Sequence, residues 1–341
     1  MERRILMAGL AAGALLLGAA AARAQGLSLE AVNGAEPTAK AVRGVSPAVI
    51  RAQVLLDRSR FSPGVIDGRM GENVRQALEA FEEANGLKAD GELDPEAFAK
   101  LTAADGAPAL KEYTITDEDA KGPFTKEIPD KMEEQAGLDR LGFMSAKEML
   151  AERFHMDEDL LEALNPGKPF DKAGTKILVA EVAAPKSDTK VKRIEVDKTA
   201  KALRAYGEDG SLVAYYPATI GSEDTPTPEG THQVTAVARN PTYTYRPDKY
   251  QFKGVEAKKA FTIKPGPNNP VGTVWIDLSK DTYGIHGSPD PATIGKTASH
   301  GCVRLTNWDV EELAGMVAKG VEVAFVSGKG AERTGGTGQK K

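Results

Sequence analysis

The chain carries one cysteine, Cys302, within Ser299-His300-Gly301-Cys302-Val303-Arg304-Leu305. Two of its four histidines, His286 and His300, lie within 16 residues of that cysteine. A cysteine attacks as thiolate, which at neutral pH needs a base, a cationic imidazole or a helix N-terminus beside it. The histidines and a helix start downstream offer all three. Gly301 permits close approach of a substrate to the backbone, and amides around Cys302 suit an oxyanion. Two plainer readings stand beside catalysis. One is a buried structural thiol with hydrogen-bonded histidines. The other is a Cys/His/His metal site, which lacks a clear fourth ligand and any C-x-x-C or H-x-x-x-H spacing.

These residues need a framework, and from about residue 190 the apolar pattern has period two. Ile194 and Val196 alternate with charged residues, as do Val234, Ala236 and Ala238, and then Val274 and Ile276. Pro/Gly-rich turns, Gly221 to Gly230 and Pro265 to Gly272, divide the segments, so the region reads as strands. One late helix is expected over about 307–318. Thr306 caps it, Asp309 takes the capping-box position, Leu313 and Val317 face inward, and Gly320 is the stop.

The first half of the chain has a different periodicity. Ser46-Pro47 reads as an N-cap followed by proline at the first helical position. Val74, Ala77, Leu78 and Phe81 form one apolar stripe at helical spacing, ended by Gly86. Asp94-Pro95 opens a third helix carrying Phe98 and Leu101. Ile66-Asp67-Gly68 and Ala89-Asp90-Gly91 echo each other ahead of successive helices. This unit, residues 46–103, resembles the small three-helix peptidoglycan-binding domain. Residues 25–45 read as a flexible leader and 104–142 as a linker of limited structure. Over 143–185, helices at Met144 to Phe154 and Leu160 to Leu164 precede a strand at Ile177 to Ala180. With Tyr113-Thr114-Ile115 as a displaced first strand, that pattern resembles a degenerate LysM module.

The stretch from Tyr283 through His286, Gly287 and Ser288 to Ser299-His300-Gly301-Cys302 resembles the signature of the L,D-transpeptidase (YkuD-like) catalytic domain, over residues 190–326. Thr225 to Gly230 and Gly266 to Gly272 resemble further turns of that domain. The resemblance implies Cys302 as nucleophile, His286 as base and the Gly287 carbonyl as the group orienting it. It implies His300 and Gly301 as residues shaping the pocket and oxyanion site. Arg304, Ser299 and Tyr283 are implied as substrate contacts, Arg304 holding a carboxylate unless it forms a structural ion pair. No metal or organic cofactor is implied. His155 and His232 fall outside the signature and read as ordinary.

The expected fold is multidomain: a small all-α three-helix N-terminal unit, then a mainly-β, β-sandwich-like catalytic domain with a helix after Cys302. The implied activity is transpeptidation on peptidoglycan tetrapeptide stems through a cysteine thioester. It would form 3-3 cross-links between stems or attach envelope proteins. Carboxypeptidase or hydrolase action on the same bonds, or wall binding by an inactive relic, are the alternatives.

Residues 1–24 read as a secretory signal: Arg3 and Arg4, an apolar run from Ile5 to Ala22, and the cleavage site Ala22-Arg23-Ala24. The expected location is therefore the periplasm or cell envelope. No later stretch is apolar for long enough to make a membrane helix. A net charge of −5, which loss of the signal makes more negative, gives no footprint for nucleic acid. Residues 327–341, all Gly, Lys and polar apart from Ala331, read as a disordered tail.

Overall fold

A computed structural model describes residues 26–37, 43–183, 188–222, 225–249 and 255–328. The expected signal and most of the expected tail lie outside these residues.

The leader differs from expectation. Ser28 caps a short helix, α1 (Leu29–Asn33), and Val32 is fully buried. The Asn33 side chain both donates to and accepts from the backbone of Leu110, at 3.0 and 2.8 Å. A buried valine and a side chain imitating a strand partner tie the segment down.

The three expected helices are α2 (Pro47–Arg58), α3 (Glu72–Ala84) and α4 (Pro95–Ala104). Ser46 is the N-cap residue of α2, but its side chain makes no capping bond. All four residues of the α3 stripe are buried; full burial of a Leu or Phe of this kind stabilises by about 1.5–3 kcal/mol. Both Asp-Gly turns place glycine at positive φ, Gly68 at 71° and Gly91 at 69°. Glu82 accepts from the amides of Asp90 and Gly91, both at 2.9 Å, locking the second turn to α3.

The linker is also more ordered than expected. It holds β1 (Leu110–Thr114), α5 (Asp117–Lys121) and α6 (Met132–Gln135). α7 (Ala146–Arg153), α8 (Glu158–Leu164) and β2 (Lys176–Ala180) follow. β1 pairs antiparallel with β2, Tyr113 opposite Ile177. The module is therefore closed by a β1–β2 pair with α5 to α8 between the strands, and its first strand lies within the expected linker. Pairing across more than sixty residues is invisible to a local reading.

The C-terminal region contains β3 (Arg193–Asp197), β4 (Ala202–Tyr206), β5 (Leu212–Pro217), β6 (Gly230–Arg239), β7 (Tyr243–Tyr245), β8 (Phe261–Ile263) and β9 (Val274–Leu278). β10 (Gly284–His286), β11 (Val303–Arg304), α9 (Asn307–Met316) and β12 (Glu322–Val326) complete it. Eight strands form one sheet in the order β11-β10-β9-β6-β12-β3-β4-β5, and β7 pairs with β8 apart from it. β6 bends the sheet: its first residues pair with β12 and its later ones with β9. A bulge falls between Val234 and Ala236. One extra residue reverses the faces downstream. Val234 is buried as expected, but Ala236 and Ala238 are exposed and Val237 packs on the core instead.

The curled sheet encloses one core, in which Ile194, Ile276, Ile285, Val303 and Leu313 are buried. The modules are docked, not strung out. Ala202 and Tyr215 of the sheet share a core with Leu55, Phe61 and Phe81 of the helical unit. The Tyr215 hydroxyl donates to Gln76 at 2.9 Å, and Arg204 pairs with Glu83 at 2.6 Å. Among the described residues no helix is long and apolar enough to cross a membrane.

Candidate active site

Strand parity assembles the site. β10 and β11 run parallel with Ile285 opposite Val303 and His286 opposite Arg304. β9 lies antiparallel on the other side, with Trp275 opposite His286. Side chains two apart, or directly opposite, share a face. Ile285, Val303 and Ile276 point into the core, each with 0–1% of its surface exposed. The alternate face therefore carries His286, Arg304 and Trp275, with Cys302 two residues before Arg304. Trp275 stacks on His286 with ring centroids 5.3 Å apart and planes 18° from parallel. Gly284 makes room: a Cβ there would come within 2.5 Å of the Trp275 ring.

His286 is buried, and its Nδ1 lies 2.7 Å from the Gly287 carbonyl oxygen. A carbonyl only accepts, so Nδ1 carries the proton and Nε2 keeps its lone pair. Burial, reinforced by the Arg304 charge, holds the imidazole pKa down at about 3. Burial pushes the Cys302 thiol up, against smaller downward pulls from the Gly284 amide and Arg304. Both groups therefore rest neutral, and a neutral imidazole can accept a proton. Of the three activating devices the sequence offers, a base is the one this electrostatic state suits. β11 and Leu305 intervene between Cys302 and α9, whose Asp309 amide already donates to Thr306 at 3.1 Å.

Ser299 has a different place from the substrate contact expected of it. It is buried, and its hydroxyl donates to the Cys302 carbonyl at 2.6 Å and accepts from the Gly301 amide at 3.1 Å. It frames the cysteine loop from inside. Since that bond uses the Gly301 N–H, the Cys302 amide is the better-placed oxyanion donor. Gly301 has φ of +112°, and a Cβ on it would lie 2.9 Å from the Tyr283 ring. Tyr283 is half-buried against the loop, and His300 is exposed at its edge. Arg304 has a buried Nε without a hydrogen-bond partner, and no carboxylate among the described residues forms an ion pair with it.

Sequence reasoning missed two residues. Thr282 offers its carbonyl to the Cys302 thiol at 3.7 Å. Its φ of +72° is strained for a β-branched residue. Only tertiary structure reveals that. Trp275 was legible: with Val274 and Ile276 inward, it must face the site side of the strand. Among the described residues no group of three or more His, Cys, Asp or Glu could hold a metal ion.

Residues 191–325 match the family model of the L,D-transpeptidase catalytic domain. A curated relative from Bacillus licheniformis, "Putative L,D-transpeptidase YkuD", is 34% identical over 180 residues, covering 52% of this chain and 92% of the relative. The chain belongs to the L,D-transpeptidase family. Residues 45–101 match a second model, "Putative peptidoglycan binding domain", over the three-helix unit. The Escherichia coli "Probable L,D-transpeptidase ErfK/SrfK" is 33% identical over 177 residues, 49% of this chain and 54% of that protein. A solved L,D-transpeptidase from Xylanimonas cellulosilytica aligns over 85% of this chain and 100% of its own, at 19% identity and a TM-score of 0.36. The transpeptidase domain is thus the curled sheet with α9, and the cysteine loop lies at its β10–β11 edge.

Proposed function

We propose that the chain is a peptidoglycan L,D-transpeptidase working by acyl transfer through Cys302. The observation that carries this reading is the shared face of His286 and Arg304 on the strands that Cys302 directly adjoins, with Nε2 of a neutral imidazole as the proton acceptor. Nε2 takes the thiol proton as sulfur attacks the carbonyl of the third residue of a tetrapeptide stem. The Cys302 amide donates to the oxyanion. Collapse breaks the bond to the terminal D-alanine, whose amine leaves with the proton from His286. An amine then attacks the thioester, His286 accepts its proton, and the thiol is restored. Arg304, with no acidic partner of its own among the described residues, suits a substrate carboxylate. Tyr283 and His300 line the approach.

A diaminopimelate amine as acceptor gives a 3-3 cross-link, an envelope-protein amine gives anchorage, and water gives carboxypeptidase-like trimming. The N-terminal unit would bring the enzyme to its polymer in the cell envelope. Incubating the chain with disaccharide-tetrapeptides, with and without Cys302→Ala, tests the reading by mass spectrometry. The expected products are cysteine-dependent dimers that have lost D-alanine. Release of D-alanine without dimers would move the assignment to trimming or to a protein acceptor. No cysteine-dependent change would favour wall binding alone.

A further inference from the structure

We propose that Glu152, in the module closed by β1 and β2 ahead of the transpeptidase domain, is a positioning residue for His286 and acts through Asn307. The proposal rests on the reading of His286 as the base.

Asn307, the first helical residue of α9, is buried. Its Oδ1 accepts from the Thr273 amide at 3.1 Å. The same oxygen packs against Gly272 and Gly287 so closely that a Cβ on either glycine would collide with it. Gly287 is the residue whose carbonyl orients His286, and its own amide donates to Val274 at 3.2 Å. The Asn307 side chain therefore sets where the Gly287 peptide sits, and that peptide sets the imidazole's tautomer.

An asparagine amide has two opposite faces and can be reversed by rotation. Two acceptors prevent that here. Asn307 Nδ2 donates to the Pro267 carbonyl at 3.1 Å and to the Glu152 carboxylate at 2.8 Å. With both acceptors on one side, Oδ1 must face Thr273 and Gly287. Pro267 belongs to the catalytic domain, whereas Glu152 arrives only when α7 is docked. Docking has its own fastenings: Asn268 Nδ2 donates to Glu148 at 2.7 Å and to the Gly142 carbonyl at 3.1 Å. Removing Glu152 should thus loosen the base without undocking the module.

The test compares the full chain with Glu152→Ala, Glu152→Gln, Asn307→Ala and His286→Ala, and with Lys147→Ala as a surface control on α7. D-alanine release from a tetrapeptide stem gives kcat and KM separately, and histidine 15N NMR reports the His286 tautomer. Glu152→Ala should lower kcat about tenfold, the scale of one hydrogen bond, at unchanged KM. Its His286 nitrogen shifts should move toward the average of the two tautomers. Glu152→Gln, which still offers an acceptor oxygen, should restore both readouts, and Lys147→Ala should alter neither. Wild-type kcat in Glu152→Ala would overturn the proposal. So would a loss of kcat with unmoved nitrogen shifts, or equal losses in Lys147→Ala. Full D-alanine release by His286→Ala would instead overturn the reading of His286 as base. The tautomer readout needs no turnover, so the two failures are distinguishable.

Discussion

Two histidines in this molecule each stack on a tryptophan and carry opposite consequences. His286 lies on Trp275 and gives its Nδ1 proton to a carbonyl. His155 lies on Trp308, ring centroids 4.9 Å apart and planes 8° from parallel, with Nδ1 3.0 Å from the Asp57 carboxylate. Around His286 the nearest charge is the Arg304 cation, so charging the ring is opposed twice, by burial and by repulsion. Around His155 burial is outweighed chiefly by the charge and hydrogen bond of Asp57, which raise the pKa. The ring and its stacking partner are alike in both sites; the Nδ1 partner and the surrounding charges decide whether the pKa falls, as at His286, or rises, as at the His155 clasp. The clasp joins all three modules. Asp57 lies in the last turn of α2, His155 follows α7 and Trp308 lies in the first turn of α9.

The sharpest way to break the comparison is to remove each histidine. His286→Ala should lower kcat/KM on a tetrapeptide stem about 10²–10⁴-fold, the range for a positioned general base. His155→Gln should leave kcat/KM within about twofold and lower the melting temperature, because it costs a hydrogen bond to a charged group of about 1.5–3 kcal/mol. Comparable activity losses in both variants would erase the distinction.

The pH dependence sharpens it. With His286 held at about 3 and the Cys302 thiol above its ordinary value of 9.0, alkylation of Cys302 should climb steadily through neutrality to pH 9. A thiolate–imidazolium pair would instead plateau near neutral pH. At His155 the direction reverses. Folding raises its pKa, so the pairing stabilises the fold fully below the ordinary value of 6.5 and is lost as pH rises through the folded-state value. Thermal unfolding of the wild type should show that decline, and His155→Gln should flatten it.

The smallest expected effect belongs to Asp309. Burial raises its carboxyl from 3.8 to about 8, and one of its oxygens lacks a hydrogen-bond partner. The folded chain holds a proton there that the unfolded chain releases, so the fold weakens as pH rises between those values. Asp309→Asn should raise the melting temperature at pH 8 and change nothing near pH 4. An equal gain at both pH values would tie the effect to packing rather than charge.

Much of this was legible without coordinates. The α3 stripe fixes one helical face, because period 3.6 leaves only one side for apolar residues. The alternation at Val274 and Ile276 fixes which side of β9 meets the core, and hence that Trp275 does not. The same rule misleads along β6, where one bulged residue reverses the faces after Val234. Ser299 was misread because its type and place in the motif say nothing of whether its hydroxyl faces outward or into its own loop.

The sequence by itself picked out the candidate nucleophile, the candidate base and the local elements that carry them, since residue type, spacing and periodicity are local properties. Only the tertiary structure decided the opposite pKa shifts of His286 and His155, the β1–β2 pairing and the reach of Glu152 to Asn307. Those depend on which groups distant in the chain are brought within a few ångströms and shielded from water.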